Sequence, residues 1–209
     1  MTFTVTRSGV LTGTDTVDVA TSDDTATTAD GDYTANSTTL TFNPNDTTMT
    51  FTVDLTADSK VELDEMFNVT LSNPSTGGVI GDGDGVSTIV NVDGASITIN
   101  DVSQQEGDSR STDFTFTATL DFAVDVPVTL DYVSADNTAT TGDSDYSTSS
   151  GQLSFDGTAS ETETVTVSVN GDTKVELDET FFVNLSNLAA SGRNVTIGDS
   201  QGRGHDRER

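Results

Sequence analysis

The chain repeats itself after 113 or 114 residues, and this repeat limits the folds open to it. The segment Asp58–Glu65, with the sequence DSKVELDE, recurs as DTKVELDE at Asp172–Glu179. The pair Asp32-Tyr33 recurs as Asp145-Tyr146. Offsets that stay nearly constant over about 65 residues are typical of a duplicated domain. The sequence therefore predicts two copies of one domain, each of about 100 residues.

Apolar residues alternate with Thr along short segments in both copies. A period of two indicates strands that place one face in a core, and the branched side chain of Thr suits a pleated sheet. Gly, Asp, Asn and Ser separate the segments, and no window shows the 3.6-residue period of a helix. The sequence therefore predicts an all-β fold, with strands at residues 3–5, 40–42, 49–55, 67–71, 96–100, 114–120, 126–133, 165–169 and 183–185.

The two copies are expected to begin and end at different points of the domain. Copy two opens with Val102–Asp108, for which copy one has no counterpart before Thr2. Copy one closes with an alternating segment, Ser96–Asp101, whereas copy two stops soon after Asp199. We therefore expect the first copy to lack its opening strand and the second to lack its closing strand.

These limits predict three segments along the chain. Domain 1 spans residues 1–101 and domain 2 spans residues 102–202. Residues 203–209 hold three of the eight basic side chains and the only His, which differs abruptly from the preceding composition. They are interpreted as an atypical basic tail.

The net charge of −27 excludes several partners and functions. It repels nucleic acid and anionic membranes and attracts cations. The absence of Cys excludes disulfides and thiolate zinc sites, and no apolar run is long enough to insert into a membrane. A glycosidase is disfavoured because Trp is absent, Tyr is scarce, and the acidic residues recur in both copies. We therefore expect no enzyme activity.

Each Asp-x-x-x-Glu-x-x-Glu unit stands just before a predicted strand. In copy one, Asp23 and Asp101 are expected at the same end of the sandwich. Carboxylates gathered within a few ångströms repel one another unless a cation lies among them. Ca²⁺ takes six to eight oxygen ligands in flexible loops and suits such a site better than Mg²⁺. The pattern therefore predicts a calcium site.

Together these motifs resemble the Calx-β domain. The resemblance rests on the paired Asp-Tyr, on Asp-x-x-x-Glu-x-x-Glu followed by F-x-V-x-L-S-N, and on the later Ile-Gly-Asp, and it covers nearly the whole chain as two copies. That family occurs in sodium–calcium exchangers, in an integrin β subunit and in tandem arrays of bacterial surface proteins. The resemblance implies two tandem immunoglobulin-like antiparallel β-sandwich domains with Ca²⁺ bound in the loops at one end.

The resemblance also implies a set of calcium ligands. Asp32-Tyr33 and Asp145-Tyr146 are interpreted as structural, with the Tyr ring packed and the Asp closing a turn. Ala57 and Gly171 stand where the family often has a further acidic residue, so each site is expected to bind weakly. The implied ligands are Asp23, Asp58, Glu62, Glu65 and Asp101 in copy one, and Glu106, Asp136, Asp172, Glu176 and Glu179 in copy two.

The function implied is that of a non-enzymatic calcium-binding module of an exported or cell-surface protein. Ca²⁺ would stiffen the sandwiches and the junction at residues 101–106, in support of adhesion or cell communication. The expected partners are calcium ions and neighbouring repeats of a larger protein. The alternative is a metal-free acidic spacer or adhesive module, for which Mg²⁺ would act about as well as Ca²⁺.

Overall fold

The computed structural model describes residues 1–174 and 176–207 of the chain. Within these residues the regular structure consists of strands, which confirms the all-β prediction. None of the described residues form a helix long and apolar enough to cross a membrane. The strands are β1 Thr2–Thr6, β2 Asp15–Asp23, β3 Ser37–Phe42, β4 Thr48–Thr52, β5 Glu65–Ser72, β6 Asp84–Ile89, β7 Ala95–Ile99, β8 Val102–Gln105, β9 Arg110–Leu120, β10 Val128–Asp136, β11 Ser150–Phe155, β12 Glu161–Gly171, β13 Glu179–Ala189, β14 Val195–Ile197 and β15 Gln201–Arg207.

The chain divides into two compact units. Unit 1 contains Met1–Asp58 and Leu63–Asn91, and unit 2 contains Ser59–Glu62 and Val92–Arg209. Residues 92–101, which the sequence assigns to domain 1, therefore belong to unit 2 by their contacts.

Unit 1 has two antiparallel sheets. One pairs β1 with β4, and the other has the order β3-β2-β5-β6. The apolar positions of the alternating segments face inwards, and the most deeply buried of them include Phe51, Val53 and Phe67. Tyr33 packs among them, with its ring stacked on Phe67 at a centroid distance of 4.6 Å.

Unit 2 repeats this arrangement with additional strands. Its sheets have the orders β12-β9-β7-β14 and β11-β10-β13-β15-β8. Phe114, Phe116 and Phe181 are fully buried in its core. Tyr146 stacks on Phe181 at 4.8 Å, as Tyr33 does on Phe67 in unit 1.

The strand expected to close copy one lies in unit 2. β7 pairs antiparallel with β9, and Ile97 stands opposite Leu120. Ile97 and Ile99 are buried in the core of unit 2. Alternation identifies a strand and its inward face, but it does not identify the sheet that the strand joins. The sequence therefore located this strand correctly and assigned it to the wrong copy.

The expectation that copy two lacks a closing strand is wrong. β15 pairs antiparallel with β13, as β6 pairs with β5 in unit 1. Its inward positions are Gly202, Gly204 and Asp206, so this strand shows no apolar alternation. Residues 203–207 of the predicted basic tail are thus part of a sheet, and residues 208 and 209 lie outside the described residues.

Candidate metal centre

Two of the predicted ligands close loops by accepting hydrogen bonds from tyrosine. Asp136 ends β10, and its Oδ1 accepts a bond of 2.6 Å from the Tyr146 hydroxyl and one of 3.1 Å from the Thr141 N–H. In unit 1, Oδ1 of Asp23 accepts a bond of 2.6 Å from the Tyr33 hydroxyl. These two carboxylates therefore hold the loop after the strand against the packed tyrosine.

The hydrogen bonds change the acidity of both partners. The Tyr hydroxyl and a backbone N–H stabilise the charged carboxylate, which lowers the pKa of Asp23 and of Asp136. Burial and the hydrogen bond to Asp23 raise the pKa of Tyr33 to about 12. Burial and the hydrogen bond to Asp136 likewise raise the pKa of Tyr146. Both aspartates are therefore ionised, and both tyrosines are neutral, at physiological pH.

A group of three carboxylates lies in unit 2. One carboxylate oxygen each of Asp145, Glu176 and Glu179 lies within 4.8 Å of the other two, and all three residues are half-buried. Asp145 lies in the loop between β10 and β11, Glu176 lies in the loop between β12 and β13, and Glu179 is the first residue of β13. Two loops and a strand start thus bring three negative charges to one place.

Asp145 is fixed in this position by the turn that it closes. Its Oδ2 accepts a hydrogen bond of 2.7 Å from the Thr140 N–H. Its carbonyl oxygen accepts one of 2.8 Å from the Asn170 N–H in β12. The repeated Asp-Tyr pair predicts this turn-closing role for Asp145, and in the structure its carboxylate also lies close to two glutamates.

The charges of the group act most strongly on Glu179. Burial, followed by the nearby charges of Asp145 and Glu176, raises the pKa of Glu179 to about 7. A smaller effect of the same sign comes from Asp206, which stands opposite Glu179 in the β13–β15 ladder. Lys174 forms an ion pair with Glu176. The group therefore carries more negative charge than this lysine balances.

Two buried acidic residues lie on or next to neighbouring strands of the same sheet. Asp206 is on β15, and Glu106 follows β8, which pairs with β15. The backbone carbonyl of Glu106 accepts a hydrogen bond from the Thr112 hydroxyl. Glu106 was predicted as a ligand, but it does not belong to the three-carboxylate group.

Unit 1 shows the corresponding arrangement around Asp32. A carboxylate oxygen of Asp32 lies within 4.8 Å of one of Glu65, the first residue of β5. Oδ2 of the buried Asp32 accepts a hydrogen bond of 2.6 Å from the Thr27 N–H. Glu62 lies in the segment 59–62, which belongs to unit 2, and its carboxylate pairs with Lys60 at 2.6 Å.

The remaining predicted ligands have other surroundings. Asp58 and Asp172 are exposed. Oδ1 of Asp172 accepts a hydrogen bond of 2.6 Å from the Lys174 N–H and so closes a short turn. Oδ1 of Asp101 accepts one of 2.8 Å from the Arg203 N–H on β15. None of these three aspartates belongs to a carboxylate group among the described residues.

The sequence did not predict that Asp32 lies close to Glu65, or that Asp145 and Asp206 lie beside Glu179. The repeated Asp-Tyr pair was the available signal for Asp32 and Asp145, because its spacing is the same in both copies. No comparable signal marks Asp206, because Gly202 and Gly204 occupy the other inward positions of β15 and leave no apolar alternation to indicate a strand.

The fold defines an all-β protein of two sandwich units, each of which gathers carboxylates at its loops. The profile of the Calx-beta domain matches residues 1–103 and residues 93–203 of this chain. The chain belongs to the Calx-beta domain family, which confirms the resemblance seen in its sequence.

Solved structures similar to this chain include three from the Calx proteins. The crystal structure of CBD12 from CALX1.2 is 20% identical, covers 100% of this chain and 93% of its own, and gives a TM-score of 0.46. That of calcium binding domain CBD12 of CALX1.1 is 18% identical, covers 98% and 92%, and gives 0.45. That of the apo-form Calx CBD1 domain is 18% identical, covers 56% and 99%, and gives 0.45. Among curated proteins, no sequence matches the chain.

Proposed function

We propose that the chain is a non-enzymatic calcium-binding tandem module. The observation that carries this proposal is the convergence of Asp145, Glu176 and Glu179 within 4.8 Å, with the pKa of Glu179 raised to about 7. Such a group holds its full negative charge only at a cost, which a bound cation offsets. A structural group without a metal would gain nothing from this repulsion.

The donor set suits a hard divalent cation. The three side chains offer only oxygen atoms, and they come from two loops and the start of a strand. Ca²⁺ takes six to eight oxygen ligands at 2.3–2.6 Å in flexible geometry, whereas Mg²⁺ requires a nearly ideal octahedron. When bound, the ion supplies the positive charge that the carboxylates lack. Waters and backbone carbonyls would complete its shell.

The proposal ranks the ten ligands predicted from the sequence. Glu176 and Glu179 stay as ligands of copy two, joined by Asp145. The repeat places Glu62 and Glu65 at the equivalent positions of copy one, with Asp32 as the equivalent of Asp145. We expect smaller contributions from Asp58, Asp101, Glu106 and Asp172, and from Asp23 and Asp136, whose oxygens already accept hydrogen bonds from tyrosine.

Calcium would act by stabilising the closed loops. Asp145 and Glu176 lie in different loops, so one ion bound to both ties these loops together. A ligand that binds only the folded state adds about 2.7 kcal/mol to the free energy of unfolding when its free concentration is 100 times the dissociation constant. Such a gain is a large share of the roughly 5–15 kcal/mol that stabilises an ordinary domain. The ion would thus add a direct link between two loops that the fold already holds close together.

The wider setting follows from charge and family. The net charge of −27 and the tandem copies suit an exported or cell-surface protein in which neighbouring repeats are the partners. In that setting a calcium-stiffened array would support adhesion or cell communication. The strongly acidic surface also argues against nucleic acid as a partner.

Thermal unfolding in chelator, in millimolar Ca²⁺ and in equal Mg²⁺ tests the proposal. A rise in midpoint with Ca²⁺ that Mg²⁺ does not reproduce is expected for the wild-type chain. The double variant Glu176→Gln with Glu179→Gln should lose the part of this rise that belongs to unit 2. Asp82→Asn with Asp84→Asn is the matched control, since it removes the same charge from two exposed residues. Equal responses of the two double variants would refute the site.

A metal-free acidic spacer is the second candidate. The observation in its favour is that Lys60 pairs with Glu62 and Lys174 pairs with Glu176, so each copy brings its own cation to the acidic segment. If these pairs suffice, Ca²⁺ only screens charge. Mg²⁺ would then raise the midpoint as much as Ca²⁺, and the glutamine variants would not matter.

A further inference from the structure

The chain contains two lysines, and both stand at the same position of the repeat. Lys60 and Lys174 are each two residues before the first glutamate of their Asp-x-x-x-Glu-x-x-Glu unit. The other members of the Lys and Arg set are arginines, and none of these lies within either unit. A chain with so little lysine therefore places one in each acidic segment.

In unit 2, the lysine pairs with a glutamate of the three-carboxylate group. The Lys174 ammonium forms an ion pair with the Glu176 carboxylate. The Lys174 side chain is 69% exposed and that of Glu176 is 18% exposed, so the lysine is the solvent-facing partner of the pair. A carboxylate oxygen of Glu176 also lies within 4.8 Å of one from Asp145 and one from Glu179. Glu176 thus serves both the lysine and the group proposed to hold calcium.

Further carboxylates act on the same lysine. The pair with Glu176, followed by the charges of Asp172 and Asp143, raises the pKa of Lys174. Asp172 also closes the turn that carries the lysine, because its Oδ1 accepts a hydrogen bond from the Lys174 N–H. The backbone of Lys174 is therefore fixed next to the acidic group, while its flexible four-carbon stem allows the ammonium to move away.

Copy one contains the same pair in a more covered position. The Lys60 ammonium lies 2.6 Å from a Glu62 carboxylate oxygen, and the two side chains are 34% and 14% exposed. In unit 2, Arg193 and, to a smaller extent, Lys60 lower the pKa of Asp125. Lys60 therefore has a second acidic neighbour, and its ammonium should be displaced less readily than that of Lys174.

We propose that Lys174 is the resident cation of the three-carboxylate group in the absence of metal, and that its ammonium leaves Glu176 when Ca²⁺ binds. The inference rests on the calcium-binding function proposed above. A lysine supplies one positive charge, whereas Ca²⁺ supplies two and binds oxygen atoms of several side chains at once. Because an exposed ion pair contributes little stability, Ca²⁺ can replace the lysine. The lysine thus lowers the affinity for calcium and balances part of the negative charge of the metal-free group.

Calcium titration of lysine variants by calorimetry tests the displacement. All chains carry Glu62→Gln and Glu65→Gln, so that the proposed site of copy one is silent. In this parent, Lys174→Gln should strengthen Ca²⁺ binding about two- to fivefold, because no ion pair has to be broken. Lys174→Arg keeps the cation and should bind no more tightly than the parent. Arg203→Gln removes one positive charge from β15, which controls for net charge, and should have a smaller effect.

The possible failures of this titration are distinguishable. Unchanged affinity in Lys174→Gln would overturn the displacement, and so would an equal gain in Arg203→Gln. Both results would leave the calcium site itself standing. No binding of Ca²⁺ by any of these chains would instead contradict the calcium site, and the inference with it.

The unfolding midpoint separates a resident cation from a lysine that only stabilises the fold. In chelator, Lys174→Gln should lower the midpoint by about 1–4 °C, since the carboxylates lose their counter-charge. In saturating Ca²⁺ the midpoints of variant and parent should coincide, because the lysine then no longer contacts Glu176. A deficit of equal size in both conditions would show that Lys174 acts through another contact, and it would overturn the proposal.

Discussion

The Tyr146 hydroxyl donates a hydrogen bond of 2.6 Å to Oδ1 of Asp136, and its ring stacks on Phe181 at 4.8 Å. The tyrosine thus connects the aromatic core of unit 2 to the loop that follows β10. Tyr33, Asp23 and Phe67 repeat the arrangement in unit 1. The loop that carries Asp145 is therefore held from the core side before any ion binds.

Replacing Tyr146 with Phe should loosen this loop. The ring stays packed, but the donor to Asp136 is lost, so the pKa of Asp136 should rise towards its ordinary value. Because the folded state lowers this pKa, the stabilisation is present above pH 3.8 and is lost as the pH falls through the lower, folded value. We expect a midpoint lower by about 2–5 °C at pH 7, measured by thermal unfolding.

The difference between Tyr146→Phe and the wild-type chain should shrink at low pH, where Asp136 is protonated in both. Tyr132→Phe is the matched control, because Tyr132 packs at the margin of the same core. A difference that persists unchanged in acid would mean that the hydroxyl acts through something other than the charged carboxylate.

The raised pKa of Glu179 predicts that stability depends on pH in the absence of metal. Between the ordinary value of 4.5 and about 7, the folded chain binds this proton more tightly than the unfolded chain does. Stability in chelator should therefore fall as the pH rises from about 4.5 to 7, since the folded state holds more protons over that range. Denaturant unfolding at a series of pH values measures this slope.

Glu179→Gln should flatten the dependence, because its amide does not titrate. Excess Ca²⁺ should also flatten it, by favouring the ionised carboxylate. Glu163→Gln, on β12, is the control that should keep the wild-type slope. If Glu179→Gln retains the full slope, the titrating group lies elsewhere.

Substitutions of Asp145 and Asp136 distinguish the calcium ligands proposed from the structure from those predicted from the sequence. Asp145→Asn removes a carboxylate from the three-carboxylate group and should weaken calcium binding roughly tenfold or more. Asp136→Asn should have a smaller effect, because that side chain already accepts bonds from Tyr146 and Thr141. Calorimetric titration with Ca²⁺ measures both. A larger loss of calcium affinity in Asp136→Asn than in Asp145→Asn would mean that Asp136, and not Asp145, is the main aspartate ligand.

Gly204 tests whether residues 201–207 occupy a strand in solution. A Cβ atom at this position would lie 2.3 Å from the ring of Phe181, so a larger side chain must displace the core. Gly204→Val should destabilise unit 2 by about 1–3 kcal/mol in denaturant unfolding, the usual cost of overpacking. Arg203→Val places the same side chain on the exposed face of β15 and should cost much less. Equal effects would indicate that this segment is not in the sheet.

Each of the nine predicted segments overlaps a strand of the structure, because alternation is a local property, whereas β2, β6, β8, β11 and β14 were not predicted. Phe51 and Phe67, for example, lie where the period of two puts them. The assignment of Ser96–Asp101 to a copy failed because β-sheet pairing is a tertiary choice, made here by the fit of Ile97 and Ile99 to the core of unit 2. The strand at residues 201–207 was missed because its inward residues are two glycines and an aspartate, which give no hydrophobic signal.

The candidate site was predictable in kind but less so in detail. Glu176 and Glu179 were found because the repeat singles them out. Asp136 ends β10 and Asp145 lies in the loop that follows; both aspartates are repeated, and both are ten residues or fewer from Tyr146 in the sequence. Only the direction in which each side chain points decides between them, and that direction is set by Tyr146 and by the Thr140 N–H.

Because β7 joins unit 2, the boundary between the two compact units lies one strand earlier than the boundary predicted from the sequence repeat. A fragment that starts at residue 102 would leave out Ile97 and Ile99, and with them one wall of the hydrophobic core that it was meant to contain. A fragment that stops at residue 101 would carry the same aliphatic strand without the sheet it joins. A fragment meant to contain unit 2 should therefore start no later than residue 92, and it would still lack the residues 59–62 that also belong to this unit.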